Sequence, residues 1–213
     1  LWVSGPGTGL GRFDMRIEEF TKYRNDPRDP NSLSDNMAVS SYLDRTGMMW
    51  LGTATKGINV FNPGAVNFRN VRHDPEDPES VSPGIVWGIH EDNNGTLWVG
   101  SDEGSGVTHL TQFDGATKQV IKHRFEPGNP NSLLPGNYRC FVEDYKGQFW
   151  VAGNRGLSRM DRATGFVNRF RHQTPGSGRK NVIFALIVDN RDPNTLWLGS
   201  LGGLDKFNLE TEE

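Results

Sequence analysis

Cysteine is almost missing from this sequence. Cys140 stands alone among 213 residues, which excludes an intrachain disulfide framework and a cysteine-built zinc site. No segment approaches the roughly 18 consecutive apolar residues of a membrane-spanning helix. No window places apolar residues at helical spacing over a useful length, so a helical core is excluded. Neither sign of charge dominates: 23 Lys and Arg stand against 26 Asp and Glu, a net charge of −3. That balance makes no electrostatic case for nucleic acid or an anionic membrane. The chain opens on Leu1-Trp2-Val3, inside a strand-like phrase, which is compatible with the loss of a signal peptide.

Turn residues are plentiful, with 26 glycines and 12 prolines, and tryptophan recurs. Trp2, Trp50, Trp98, Trp150 and Trp197 lie 48, 48, 52 and 47 residues apart, in the phrases LWVSG, WLGT, LWVGS, FWVAG and LWLGS. A period in the forties to fifties marks a repeat architecture. Aspartate stands six residues before three of them, with glycine three later: Asp44/Gly47, Asp92/Gly95 and Asp144/Gly147. The last copy is stretched, from Asp189 through Asn194 to Trp197. Asp-x-x-Gly between apolar runs predicts a hairpin, because Asp bonds its own backbone and Gly accepts positive φ. That turn reading also explains Asn94-Gly95-Thr96 better than a glycosylation site does.

After each tryptophan, phrases such as Gly57-Ile58-Asn59-Val60-Phe61-Asn62 and Gly156-Leu157-Ser158-Arg159-Met160-Asp161 alternate apolar with polar, the signature of a half-buried strand. Further short strands follow at Glu19 to Tyr23, Asn67 to Arg72, Val120 to Phe125 and Phe166 to Phe170. Then come proline loops, Asp26 to Leu33, Asp74 to Val81 and Glu126 to Leu133, whose paired prolines remove backbone donors and keep them out of any sheet. Four strands in about 48 residues is one β-propeller blade. The predicted fold is therefore all-β, with blades of four antiparallel strands in a single unit over 1–213. Blades fall at 1–37, 38–85, 86–137, 138–182 and 183–213. Counting strands as innermost, tryptophan, Gly-Leu and outer, the first blade lacks its innermost and the last its outer. The expectation is a partial propeller from a longer chain.

Asp-x-x-Gly-x-Leu-Trp-Val-Gly, then Gly-Leu-x-Arg-Phe-Asp, then Asp-Pro-x-Asn-Pro-Asn-Ser-Leu together resemble the two-component regulator propeller repeat, which builds the periplasmic sensor region of bacterial hybrid histidine kinases. The resemblance spans essentially the whole chain. It departs in the fourth repeat, where Gln173 to Gly178 replace the proline loop, and in the third, where Glu103 to Gly106 add length and Thr108-His109-Leu110 replaces the usual strand phrase. It implies a ligand-sensing or interaction module on the periplasmic or extracellular side of a bacterial membrane, with no catalytic residues and no cofactor. The implied partners are a small molecule or oligosaccharide, the rest of the propeller and downstream signalling domains. Oligomerisation or assembly contacts are compatible with it.

Within the innermost strands, the residues four before each aspartate are Ser40, Gly88, Cys140 and Ala185. All are small, as crowding near a central axis requires, so Cys140 reads as a packing residue and not a reactive thiol. One residue earlier stand Val39, Trp87, Arg139 and Phe184, a diversity that packing alone does not set. Trp87 beside Arg139 offers an apolar plate next to a cation, suited to sugars, carboxylates or aromatics. The bland alternative has Trp87 filling a gap and Arg139 paired with a carboxylate. With Asn36 and Asn137 at the ends of the proline loops, the candidate ligand-binding set is Asn36, Trp87, Asn137, Arg139 and Phe184. His90 reads as a structural histidine. His73, His123 and His172 occupy matching places before the proline loops and read as repeat architecture, not metal ligands. The blade tryptophans read as core.

A propeller enzyme, such as a lyase of the streptogramin type or a hydrolase, needs titratable residues converging at one end of the innermost strands. Those positions hold mainly Val39, Ser41, Ile89, Phe141, Phe184 and Leu186. Binding is favoured over catalysis, and an interaction propeller within a larger assembly stays open beside a sensor.

Overall fold

The computed structural model describes residues 1–5, 7–104, 107–114, 119–172 and 176–213. Strands β1 (Trp2–Gly5), β2 (Gly9–Asp14) and β3 (Glu19–Tyr23) form a three-stranded sheet. Three four-stranded sheets follow: β4 (Ala38–Leu43), β5 (Met49–Thr53), β6 (Ile58–Asn62) and β7 (Ala65–Val71); β8 (Ile85–Glu91), β9 (Leu97–Asp102), β10 (Thr108–Phe113) and β11 (Val120–Arg124); β12 (Tyr138–Glu143), β13 (Phe149–Gly153), β14 (Gly156–Met160) and β15 (Val167–Phe170). A short 3-10 turn, Ser177–Asn181, leads to a last sheet of β16 (Ile183–Val188), β17 (Thr195–Ser200) and β18 (Gly203–Asn208). In every sheet neighbours in space are neighbours in sequence, and all pairs are antiparallel. The chain forms part of a β-propeller.

The Asp-x-x-Gly phrases make the first hairpin of each complete blade, with Gly47, Gly95 and Gly147 at φ of 83, 82 and 74°. The aspartate does more than turn the chain. Asp92 Oδ1 accepts the N–H groups of Asn94 and Thr96, and its Oδ2 accepts the indole N–H of Trp98. Asp44, Asp144 and Asp189 hold Trp50, Trp150 and Trp197 in the same way, at 2.7, 2.9 and 2.8 Å. The buried indole N–H thus finds its acceptor within its own hairpin, as an enclosed tryptophan requires.

The core lies between consecutive sheets. Trp98 and Trp150 are fully enclosed, and Trp98 packs on Phe149 of the following sheet at 4.6 Å between ring centroids. Trp2, Trp50 and Trp197 are only half-buried, so the expectation of a uniform tryptophan core holds at two of five positions. Glycine in the tryptophan strand lets the next innermost strand approach: a Cβ on Gly100 would lie 2.1 Å from the Tyr138 carbonyl oxygen.

The proline loops are exposed but anchored at their last residue, since Leu33, Val81 and Leu133 are almost fully buried. Ser32 Oγ closes its loop by accepting the Asp26 N–H and donating to the Asp26 carbonyl. The loop then joins the next blade: Asn31 O accepts the N–H of Phe68, and Asn131 O that of Val167. In the fourth repeat Gln173, Thr174 and Pro175 lie outside the described residues, as do Ser105 and Gly106 of the third-repeat insertion.

The histidines of the outer strands are not equivalent. His123 pairs with Leu110, the register place that Tyr23 takes against Leu10 and Phe170 against Leu157. His73 and His172 come two residues beyond that place. The reason is a packing demand: in three blades the earlier place holds a ring against the blade tryptophan, with Val71 there in the second, and His123 lies 5.7 Å from Trp98. His73 instead bonds the Val81 carbonyl, as the Asn25 amide bonds that of Leu33.

Candidate functional site

Each of the four innermost strands carries a β-bulge at the same repeat position. The ladder skips a residue between Ala38 and Ser40, Val86 and Gly88, Tyr138 and Cys140, and Ile183 and Ala185. The skipped residues are Val39, Trp87, Arg139 and Phe184, the position whose side chains vary so widely. A bulge leaves its residue unpaired and re-aims the side chain, which frees the position from the packing rule that keeps its neighbours small. Ser40, one such neighbour, donates from its Oγ to the Val86 carbonyl of the next blade.

Three bulge residues from three successive blades stack. The Arg139 guanidinium carbon lies 4.5 Å from the Trp87 ring centroid and 5.0 Å from that of Phe184. The cation is thus held between two aromatic faces, a geometry worth about 0.5–1 kcal/mol per contact at exposed sites. Asn137 fixes one plate. With its amide oriented by the hydrogen-bond network, its oxygen accepts the Trp87 indole N–H at 3.0 Å and its nitrogen donates to Asp102 Oδ2 at 3.0 Å. Phe184 is 48% exposed.

Arg139 forms no ion pair among the described residues, and its buried Nε has no hydrogen-bond partner. Burial pushes its pKa below the ordinary guanidinium value, opposed by the Cys140 and Asp102 fields. The Asp102 carboxylate is felt by Arg139 but makes no direct ion pair with it among the described residues. The structure therefore brings Trp87, Asn137, Arg139 and Phe184 together.

Asn36 is engaged elsewhere. Its side-chain oxygen accepts the Asn25 N–H and its carbonyl accepts that of Gly9, both within the turn of the first blade. Counted from the repeat aspartate, Asn36 matches Gly136 and not Asn137, so a one-residue offset separates the two asparagines.

The remaining candidates are structural. Cys140 is buried against the last sheet, and burial pushes its thiol up to about 12. His90 lies edge-on to Tyr42 and near Phe141, and burial lowers its pKa despite the nearby carboxylates of Glu143, Asp92 and Glu91. Sequence reasoning missed a second cluster at the hairpin turns. Arg162 bridges Asp92 Oδ2 at 2.9 Å and Glu143 Oε1 at 2.5 Å, while the Arg45 side chain donates to the carbonyl oxygens of Asp92 and Asn93. These bonds tie neighbouring blades together at the tryptophan turns and present no free group for chemistry.

Residues 80–103, which hold a proline-loop end, an innermost strand, the aspartate hairpin and a tryptophan strand, match the family model described as Two component regulator propeller. The match is to that one stretch, a single repeat's worth of the chain. No curated protein matches it. Among solved structures, the extracellular domain of a hybrid two component system from B. thetaiotaomicron superposes with a TM-score of 0.79 at 22% identity, covering 100% of this chain. PorZ, a surface component of the type-IX secretion system of Porphyromonas gingivalis, gives 0.66 at 16%, again over 100% of this chain. A protein described as a gluconolactonase gives 0.57 at 14%, over 94%. The chain spans 27%, 31% and 67% of those three chains. At such identities the likeness establishes the fold alone, and neighbours described so differently leave function to the site.

Proposed function

We propose that this chain is part of the extracytoplasmic sensor propeller of a bacterial signalling receptor, binding a small ligand and performing no catalysis. The observation that carries this reading is Arg139, a cation held between Trp87 and Phe184 with no carboxylate of its own. A ligand offering an anionic group, with a flat sugar or aromatic face, would satisfy the guanidinium and extend the stack. Because Trp87, Arg139 and Phe184 come from three blades, one ligand would touch all three. It would shift the blades' relative positions only through different affinity for the two arrangements. The likeness to an extracellular receptor domain supports the compartment and the signalling role. Around Arg139 stand the Trp87 and Phe184 rings, with the Asp102 carboxylate close enough to be felt but engaged by Asn137, a set suited to binding.

Calorimetric titration of the wild type and Arg139→Ala against oligosaccharides and anionic metabolites tests the reading, with circular dichroism as the folding control. A ligand should bind the wild type and lose affinity on the variant. Unchanged affinity in a folded Arg139→Ala variant moves the site away from this stack.

A further inference from the structure

The blade tryptophans have unequal surroundings, and the repeat itself supplies the comparison. Trp2 has Tyr23 of its own outer strand at 5.9 Å, Trp98 has His123 at 5.7 Å, and Trp150 has Phe170 at 5.6 Å. At the same register place in the second blade, opposite Ile58, stands Val71. A second substitution compounds the first. Arg12 and Arg159 lie over Trp2 and Trp150, whereas the matching residue beside Trp50 is the small, buried Val60. The following blades place Phe61 against Trp2 and Phe207 against Trp150, but the corresponding Phe113 makes no ring contact with Trp50. Among the described residues Trp50 makes no ring contact, the Tyr42 ring opposite it in the ladder turning to His90 instead.

What remains is a cavity of about 310 Å³ against the half-buried Trp50, walled by Ile58, Val71, Leu97 and Phe113, with Arg69 on its rim. That size is at the small end of ligand pockets, roughly 300–1,000 Å³. The rim carboxylates are already engaged: Asp44 holds the Trp50 indole N–H, and Glu91 accepts the Arg45 N–H. Arg69 is exposed and its side chain forms no ion pair or hydrogen bond among the described residues, so it is the uncommitted charge at the opening.

We infer that this cavity is a second binding site, separate from the Arg139 stack, for a small aromatic carboxylate whose ring lies on Trp50 where the other blades place Tyr23, His123 or Phe170, and whose carboxylate meets Arg69. The occupant's ring follows from the three filled copies. Its charge follows from the guanidinium at the mouth, which suits carboxylate geometry. Stacking on an aromatic face favours a flat ring over a puckered one of similar size.

The test is calorimetry on the full chain with 3-phenylpropionate, 3-cyclohexylpropionate and 3-phenylpropanol. Saturable binding of 3-phenylpropionate is expected, at least several-fold tighter than of the other two. Val71→Phe should fill the cavity from within and weaken 3-phenylpropionate binding by tenfold or more, without lowering the unfolding midpoint. Val71→His, copying the third blade, serves if the phenylalanine variant does not fold. Arg69→Gln should bring the acid down to the affinity of the alcohol and leave the alcohol unchanged. Arg139→Ala should leave in place the component of 3-phenylpropionate binding that Val71→Phe removes, whatever the Arg139 stack itself takes up, which separates the two sites. Absence of saturable binding, full binding by a folded Val71 variant, or loss of that Val71-sensitive component on Arg139→Ala overturns the assignment.

Discussion

Asp92 accepts the indole N–H of Trp98 at 3.0 Å, and the same carboxylate oxygen takes the Arg162 guanidinium from the next blade at 2.9 Å. One carboxylate thus seats a core ring and links two sheets. Burial pushes the Asp92 carboxyl up, but the Trp98 indole, the Thr96 and Asn94 N–H groups and Arg162 together hold it below its ordinary value of 3.8. Folding therefore releases protons from this group. Its stabilisation is complete above the unfolded carboxylate range, near 3.9, and is lost as pH falls through the lower folded value. Asp92→Ala strands a buried N–H and leaves Arg162 with Glu143 and the Gly147 carbonyl, so it should cost about 3–5 kcal/mol, as for one broken partner of a buried pair. Urea midpoints measured from pH 7 to pH 3 should show a shallower acid decline in the variant than in the wild type. Parallel declines would remove Asp92 from the acid transition.

The glycines of the tryptophan strands offer an internal control. A Cβ on Gly100 would sit 2.1 Å from the Tyr138 backbone oxygen, whereas one on Gly199, the matching residue of the last sheet, meets Ala185 Cβ at an ordinary 3.4 Å. Gly100→Ala must therefore push two blades apart, and overpacking of this kind costs about 1–3 kcal/mol or more. Gly199→Ala should stay within about 0.5 kcal/mol. Thermal unfolding of both variants checks the difference, and equal losses would mean that the blades do not meet at Gly100.

Trp98→Ala removes a fully enclosed ring that touches both Phe149 and His123, and should cost about 3–5 kcal/mol. Glu76→Ala, in an exposed proline loop where only the Glu76 backbone N–H bonds Asp74, should change stability by no more than about 0.5 kcal/mol. Chemical denaturation of the two variants gives the ranking directly.

The features legible in the sequence are those built by local chemistry. Strand alternation and Asp-x-x-Gly turns act within a hairpin, so each repeat announces its own sheet. The features that were not legible act between blades. Arg162 and Asp92 are 70 residues apart, and no periodicity relates them. The diversity of Val39, Trp87, Arg139 and Phe184 marked a position freed from packing, but its cause, a shared β-bulge, exists only in the ladder. Asn36 and Asn137 both follow proline loops in the sequence, and the one-residue offset between them decides their partners. Nearness to a loop aligns His123 with His73 and His172 in the sequence, whereas stacking on Trp98 sets its place.

Arg139 is the residue where stability and binding should separate. Its guanidinium is half-buried, its Nε lacks a partner, and no carboxylate pairs with it directly among the described residues. Against that cost stand two cation–ring contacts of about 0.5–1 kcal/mol each. Arg139→Met keeps a flexible apolar chain between the same rings, with sulfur–aromatic contacts of about 0.3–1.5 kcal/mol, and removes the desolvated charge. The Trp87 plate stays clamped, because its indole N–H bonds Asn137 and not the arginine. The expected outcome in urea denaturation is a variant as stable as the wild type or up to about 1 kcal/mol more stable, as when a residue held for function is replaced by a packing residue. Ligand affinity should fall in the same variant. A loss of more than about 1 kcal/mol of stability would instead make Arg139 a structural strut between blades.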